Sequence, residues 1–266
     1  GTHIKKMLVI ALLAIIWGAL TLLLLAPLYN ESYTWQTFFE ALYTLRLGRI
    51  NHLWFLAAIL FVYLFFPILK AVFDAKKRWI GYALFLSLAV ATMVEPFRSI
   101  ASPYLGPYAY AFVYVLAGGY LYKERKRFHA PFVRSASLVV FLLSSIALFG
   151  YGVQEMAVRG RFFDTVWHGY PTLTMLLMAS SLFIFFSSFQ FNRIAPFLTL
   201  VGSSTLGMYV LHAPVGQWTL GPYRSLAWSE TLLGNALYGL FLFGATFVLT
   251  QIIIRIPILK RLMTLR

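Results

Sequence analysis

The stretch from His52 to Phe73, HLWFLAAILFVYLFFPILKAVF, carries no Asp, Glu, Lys or Arg until Lys70. Coiled as an α-helix at about 1.5 Å per residue, it reaches roughly 33 Å. That matches a bilayer hydrocarbon core, which needs about 20 mostly apolar residues per crossing. Working outward on both sides, comparable apolar runs recur over residues 7–27, 79–94, 107–122, 135–153, 171–188, 200–218 and 231–256. The composition agrees: 61% hydrophobic, 18% aromatic and only 11% charged, with mean hydropathy +0.78. A soluble domain of 266 residues has too little interior to hide that much apolar surface. The predicted fold is therefore all-α: a polytopic transmembrane helix bundle of about eight spans, forming one integral-membrane domain over residues 1–266.

A formal charge of +14 raises the question of nucleic acid, but the charges are not placed for it. Alternate gaps between spans fall on opposite sides of a membrane. One side collects Lys5, Lys6, Lys70, Lys76–Arg78, the Lys123–Arg127 cluster, Arg134, Arg193 and the C-terminal bases, sixteen bases against two acids. The other side holds six bases and six acids and is neutral. The entire excess lies on one face, as the positive-inside rule expects of the cytoplasm, which puts both termini inside. The basic gaps are topology signals and contacts for anionic membrane lipid, so no nucleic-acid partner is expected.

The first apolar run is too long for a signal peptide, and no small-residue cleavage pattern follows it. The sequence opens Gly-Thr-His rather than Met, and the expectation is of a domain that is incomplete at its N-terminus. Residues 28–51 place Trp35, Phe38, Phe39, Leu42, Tyr43 and Leu45 near a 3.6-residue stripe, predicting a short helix lying in the interface. Trp and Tyr at span ends fit the aromatic belts of membrane proteins.

Cysteine is absent, which excludes disulfides, a thiolate nucleophile and cysteine metal sites. No His-x-x-x-His or acidic cluster offers metal-ligand spacing, so no metal is expected. A Gly-x-Ser-x-Gly elbow is missing too, and with it any support for a serine hydrolase. Few charges fall within the spans, which disfavours a buried ion relay. What remains is on the neutral side. His52 opens the second span, and His212 sits towards the outer end of the seventh. A lone interfacial histidine is most often structural, but an imidazole titrates near neutrality and can orient or deprotonate a hydroxyl. His168 is weaker; His129 lies among bases and His3 is terminal. Arg49 stands three residues before His52, with Arg46 one turn further back. Glu95 and Arg98, also three apart, flank a proline turn; they form either a local ion pair or a guanidinium site for a carboxylate or oxyanion.

Two segments carry a family resemblance. His52-Leu53-Trp54-Phe55-Leu56, followed by Tyr63 and Pro67, resembles the H-L-W-F-L…Y…P segment of the acyltransferase-3 membrane family. Ser204-Thr-Leu-Gly-Met-Tyr-Val-Leu-His212 is similar to that family's S-x-x-x-G-[IM]-Y-[LV]-x-H segment. FVYVLAGGYLYKERKR resembles a third, less specific segment. The likeness extends over about residues 45–260 and lies nearest a glucan-modifying branch. It implies a polytopic O-acyltransferase that moves an acyl group, acetyl or succinyl, from cytoplasmic acyl-CoA to a hydroxyl of an extracytoplasmic or lipid-linked glycan. It further implies acyl-CoA as co-substrate with no bound cofactor, and a bacterial cytoplasmic (inner) membrane location. On this reading His52 and His212 are the catalytic candidates, while Arg49, Arg98, Glu95, Trp54 and Tyr209 contact substrate.

The family also has about ten spans and a first-span Arg followed eleven positions later by a His taken as the base. Ala41, Gly118, Ala157 and Val201 stand eleven before His52, His129, His168 and His212, so that pairing is absent. Its first-span role is therefore not carried onto any of these histidines, and without it residues 1–266 alone are not expected to transfer acyl groups. A glycan or lipid transporter, or a non-catalytic membrane scaffold, would share the same spans.

Overall fold

The computed structural model describes residues 2–29, 34–44, 52–106, 108–159, 170–189 and 191–257. Every regular element among them is helical. In chain order these are α1 (Thr2–Tyr29), α2 (Trp35–Thr44), α3 (Trp54–Asp74), α4 (Arg78–Met93), α5 (Phe97–Leu105) and α6 (Tyr110–Glu124). A 3₁₀ turn (Arg125–His129) leads into α7 (Pro131–Arg159), followed by α8 (Leu173–Ser187), α9 (Ala195–Arg224) and α10 (Leu232–Ile253).

Among the described residues, α1, α3, α7, α9 and α10 are long and apolar enough to cross a membrane. A sixth crossing arises if α4 and α5, bent by 103° at the break between them, are one interrupted span. Each apolar run of the sequence corresponds to a helix, but the helices differ in reach. The 15-residue α6 and α8 extend only about 22 Å, short of a full hydrocarbon core. Conversely, α7 and α9 run to 29 and 30 residues and carry their helices beyond the apolar stretch. Outward faces are apolar throughout: Leu8 is 64% exposed, Phe149 68% and Leu240 67%. Such surface is tolerable only against lipid.

The chain divides into two compact units, residues 1–63 with 192–266, and residues 64–191. In the first, α1 packs against α9, and α9 runs along α10. Its core joins Leu13, Ala14, Trp17 and Leu22 of α1 to Leu53 and Leu56 at the start of α3, and to Val210 and Leu211 of α9. The short helix expected over residues 28–51 is α2, where Trp35 and Phe39 are exposed and Phe38 reaches that core; Leu45 and the side chains of Leu42 and Tyr43 lie outside the described residues. Gly234 of α10 lies directly under the carbonyl and ring of Trp228, where a Cβ would collide with backbone.

In the second unit α7 packs along α8, while α4 contacts both α5 and α6. Ala89 and Met93 meet Val113 and Leu176 in its core. Pro96 caps α5, which turns away from α4 and leaves an open apolar groove of about 510 Å³ lined by Leu86, Ser87, Val90, Ala91, Phe97, Ile100 and Ala101. Gly106 ends α5 at φ 78° and ψ 166°, backbone that only glycine adopts readily.

Candidate active site

The first unit brings His52, Tyr209 and His212 together. The sequence HLWFL divides its residues between two jobs. Leu53 and Leu56 are 0% and 1% exposed and anchor the start of α3 in the core, which leaves the preceding 3₁₀ turn to present His52. On α9 Ser204, Gly207, Met208 and Leu211 are buried at three- and four-residue intervals, the stripe of a packed helix. Tyr209 and His212, three apart, fall off that stripe on a shared face.

The three rings form a triangle. His52 and His212 meet edge-to-face with centroids 5.6 Å apart; Tyr209 lies 6.4 Å from His52 and 5.5 Å from His212. Hydrogen bonds fix the arrangement. The Tyr209 hydroxyl donates to the His52 carbonyl, and His212 Nδ1 donates to the Tyr209 carbonyl. Phe55 packs edge-on against Tyr209 at 5.3 Å, and Trp54 packs against Phe55 at 6.0 Å. Both ring nitrogens of His52 are shielded from solvent, whereas His212 is exposed. One imidazole is held inside and one faces out. Such a pair can receive a hydroxyl group and accept its proton.

Arg49, Arg46 and His168 lie outside the described residues. Glu95 and Arg98 belong to the second unit, where they form an ion pair with each other. Local pairing was one of the two readings the sequence left open, and it is the arrangement adopted. His3 donates through Nε2 to the Tyr63 carbonyl at 2.7 Å and stacks on that ring.

The basic end of the second unit is stitched to helix termini. Lys123 Nζ donates to the Phe73 carbonyl at 2.9 Å and sits 3.9 Å over the Phe73 ring, capping α3. Arg134 donates to the Ser188 hydroxyl at 3.1 Å and carbonyl at 3.2 Å, and His129 Nδ1 lies 3.3 Å from that same carbonyl. Cations at helix C-termini complement the macrodipole. Arg125 covers Tyr122, and Arg127 pairs with Glu124 at 3.1 Å while staying 80% exposed.

Gln251, absent from the sequence candidates, makes a further link to α9. Its Nε2 donates to Ser204 Oγ at 2.6 Å, tying α10 to the first residue of the STLGMYVLH segment. The signal was present: a lone amide in the apolar run FVLTQIII needs a partner inside a membrane.

Residues 1–255 match the family model of the acyltransferase-3 domain, described as an acyltransferase domain. The chain belongs to the acyltransferase-3 family. Neither a curated protein nor a solved structure matches it. The match spans both compact units, and with the apolar helices it makes the chain an integral membrane protein of an acyltransferase family. Both segments that carried the resemblance contribute to the ring cluster: HLWFL supplies His52, and STLGMYVLH supplies Tyr209 and His212.

Proposed function

We propose that this acyltransferase-3 protein moves an acetyl or succinyl group from cytoplasmic acyl-CoA to a hydroxyl of an extracytoplasmic or lipid-linked glycan, in a bacterial cytoplasmic membrane. The observation that carries the reading is the convergence of His52, Tyr209 and His212 within one unit of a chain from an acyltransferase family. Transfer forms a C–O bond between the glycan oxygen and the acyl carbon and breaks the C–S bond of the thioester. The hydroxyl proton leaves as the ester forms, and the departing thiolate takes up a proton to become free CoA thiol.

We assign to His212 the taking of that proton. With Nδ1 donating to the Tyr209 carbonyl, its neutral ring carries a lone pair on Nε2. His52 orients the same hydroxyl or steadies the oxyanion of the tetrahedral state. Trp54 and Tyr209 supply aromatic surface for a sugar ring, and Arg49 is proposed to hold the acceptor. Within the second unit, Glu95 and Arg98 are proposed as a substrate contact in their own right, their mutual pair opening when a ligand anion takes its place. The Lys123–Arg127 cluster, cytoplasmic on the proposed topology, offers charge to the phosphates of the acyl donor. The charge asymmetry supports an eight-span bundle with both termini inside and the whole chain acting as one domain.

The test is product analysis. Membranes carrying the reading frame that encodes this chain are incubated with labelled acetyl- or succinyl-CoA and a membrane glycan fraction. Alkali-labile label on the glycan is the expected result. Movement of unmodified glycan across the membrane with no ester formed would instead indicate a transporter, and intact abundance with neither activity a scaffold.

A further inference from the structure

We infer that Tyr209 is the positioning residue of this site, acting through both its hydroxyl and its backbone carbonyl to set the two histidines in different states. The inference rests on the reading of His52 and His212 as the acceptor-site histidines. It adds how they are held and which nitrogen each makes available.

A carbonyl oxygen only accepts, so the contact between His212 Nδ1 and the Tyr209 carbonyl requires the hydrogen on Nδ1. The neutral ring is then the Nδ1–H tautomer, with Nε2 as its basic nitrogen. Two residues beyond His212, Pro214 removes the N–H that would close on the Val210 carbonyl, the one next to the carbonyl His212 meets.

The Tyr209 hydroxyl works in the other direction. It donates to the carbonyl of His52, in the 3₁₀ turn that precedes α3. That bond joins α9 to residue 52 across 157 positions of chain. It holds the turn closed over His52, whose ring nitrogens are both shielded while His212 stays exposed. Tyr209 thus determines that His212 is the reactive imidazole and His52 the enclosed one. In this role it is a positioning residue, since the hydroxyl bond to His52 and the carbonyl bond to His212 both join protein groups, whatever surface its ring offers a sugar.

The experiment reads geometry separately from activity. The full chain, in membranes or detergent, is treated with diethylpyrocarbonate, and the modified histidines are identified by peptide mass spectrometry. His212 is expected to react quickly and His52 slowly, because reagent reaches His52 only through local opening. In Tyr209→Phe the ring stays but the bond to the turn is lost. His52 should then react about fivefold faster, the weight of one neutral hydrogen bond, with His212 unchanged. Nitrogen-15 spectra of labelled histidine in the unsubstituted chain should show His212 as the Nδ1–H tautomer. Acyl transfer in Tyr209→Phe should lose about fivefold in kcat with KM for the acyl donor unchanged. An Nε2–H tautomer at His212, equal reactivity of the two histidines, or an unchanged His52 rate in Tyr209→Phe would each overturn the inference. The tautomer measurement needs no variant, so misfolding cannot mask the answer. If the reactivity and tautomer patterns hold but no acyl group moves, the assignment of function fails and the positioning role of Tyr209 stands.

Discussion

His52 gives the imidazole at the start of α3 two separable parts, a backbone carbonyl bonded to Tyr209 and ring nitrogens turned into the protein. The substitution His52→Phe keeps the backbone bond and a planar ring but removes the nitrogens. It should leave abundance and thermal stability near those of the parent. Acyl transfer should nonetheless fall by roughly 10- to 100-fold, the range for a lost hydrogen bond to a developing charge. Equal transfer rates would remove His52 from the chemistry. Gly106 answers to a different constraint, its positive φ at the end of α5. Gly106→Ala should cost about 1–3 kcal/mol, seen as a lower melting temperature in detergent, because a Cβ is strained there whatever space surrounds it. At this scale the sequence was partly legible. His52 and His212 stood out as imidazoles on the neutral side, and Tyr209 through the resemblance of its segment to the family's. Their mutual bonding was not legible, since residues 52 and 209 meet only once Leu53, Leu56, Val210 and Leu211 have formed a common core. Glu95 and Arg98 were visible as neighbours by spacing alone, and their ion pair is a local consequence of that spacing.

At the scale of elements, apolar length announced the helices but not their ends. The runs at 107–122 and 171–188 became the short α6 and α8, while 135–153 and 200–218 sit inside the much longer α7 and α9. Hydropathy marks where a helix is buried in lipid, and backbone hydrogen bonding continues past that boundary until a breaker stops it. The segment FRSIASPYL escaped notice for the converse reason. Arg98, Ser99, Ser102 and Pro103 dilute its apolar content, yet Phe97, Ile100 and Tyr104 are spaced as one face of a helix. The pairing of α9 with α10 hangs on close approach at the turn between them. There Tyr223 donates to the Ser229 carbonyl at 2.6 Å and stacks on Tyr238 at 4.1 Å, and Gly234 admits the Trp228 carbonyl. Gly234→Ala forces backbone to move. We expect a loss of about 1–3 kcal/mol and a lower midpoint in thermal unfolding. A melting curve identical to the parent would show that the turn relaxes freely.

At the scale of the molecule, the proposed topology puts the whole excess charge on one face of the membrane. The absence of cysteine makes that orientation directly measurable. Lys126→Cys, in the basic cluster, should be protected from an impermeant thiol reagent in intact cells and react after lysis. Ser225→Cys, in the exposed turn after α9, should react in intact cells. The reverse pattern, or both sites on one side, would contradict the proposed topology and separate the histidine cluster from the face where an extracytoplasmic glycan is found. The family's membrane character was legible from composition and two short segments, and its chemistry was legible only through them. Composition reports the solvent a chain folds in, whereas a reaction depends on a few side chains whose meeting is a product of the tertiary fold.

If the outward imidazole of His212 takes the acceptor's proton, removing that imidazole alone must slow acyl transfer. Initial rates of acyl transfer from labelled acyl-CoA to glycan are compared for the parent and His212→Ala at equal membrane abundance. A fall of roughly 10²-fold or more, the typical contribution of a positioned general base, is the predicted result. Transfer in His212→Ala at the parental rate would contradict the account.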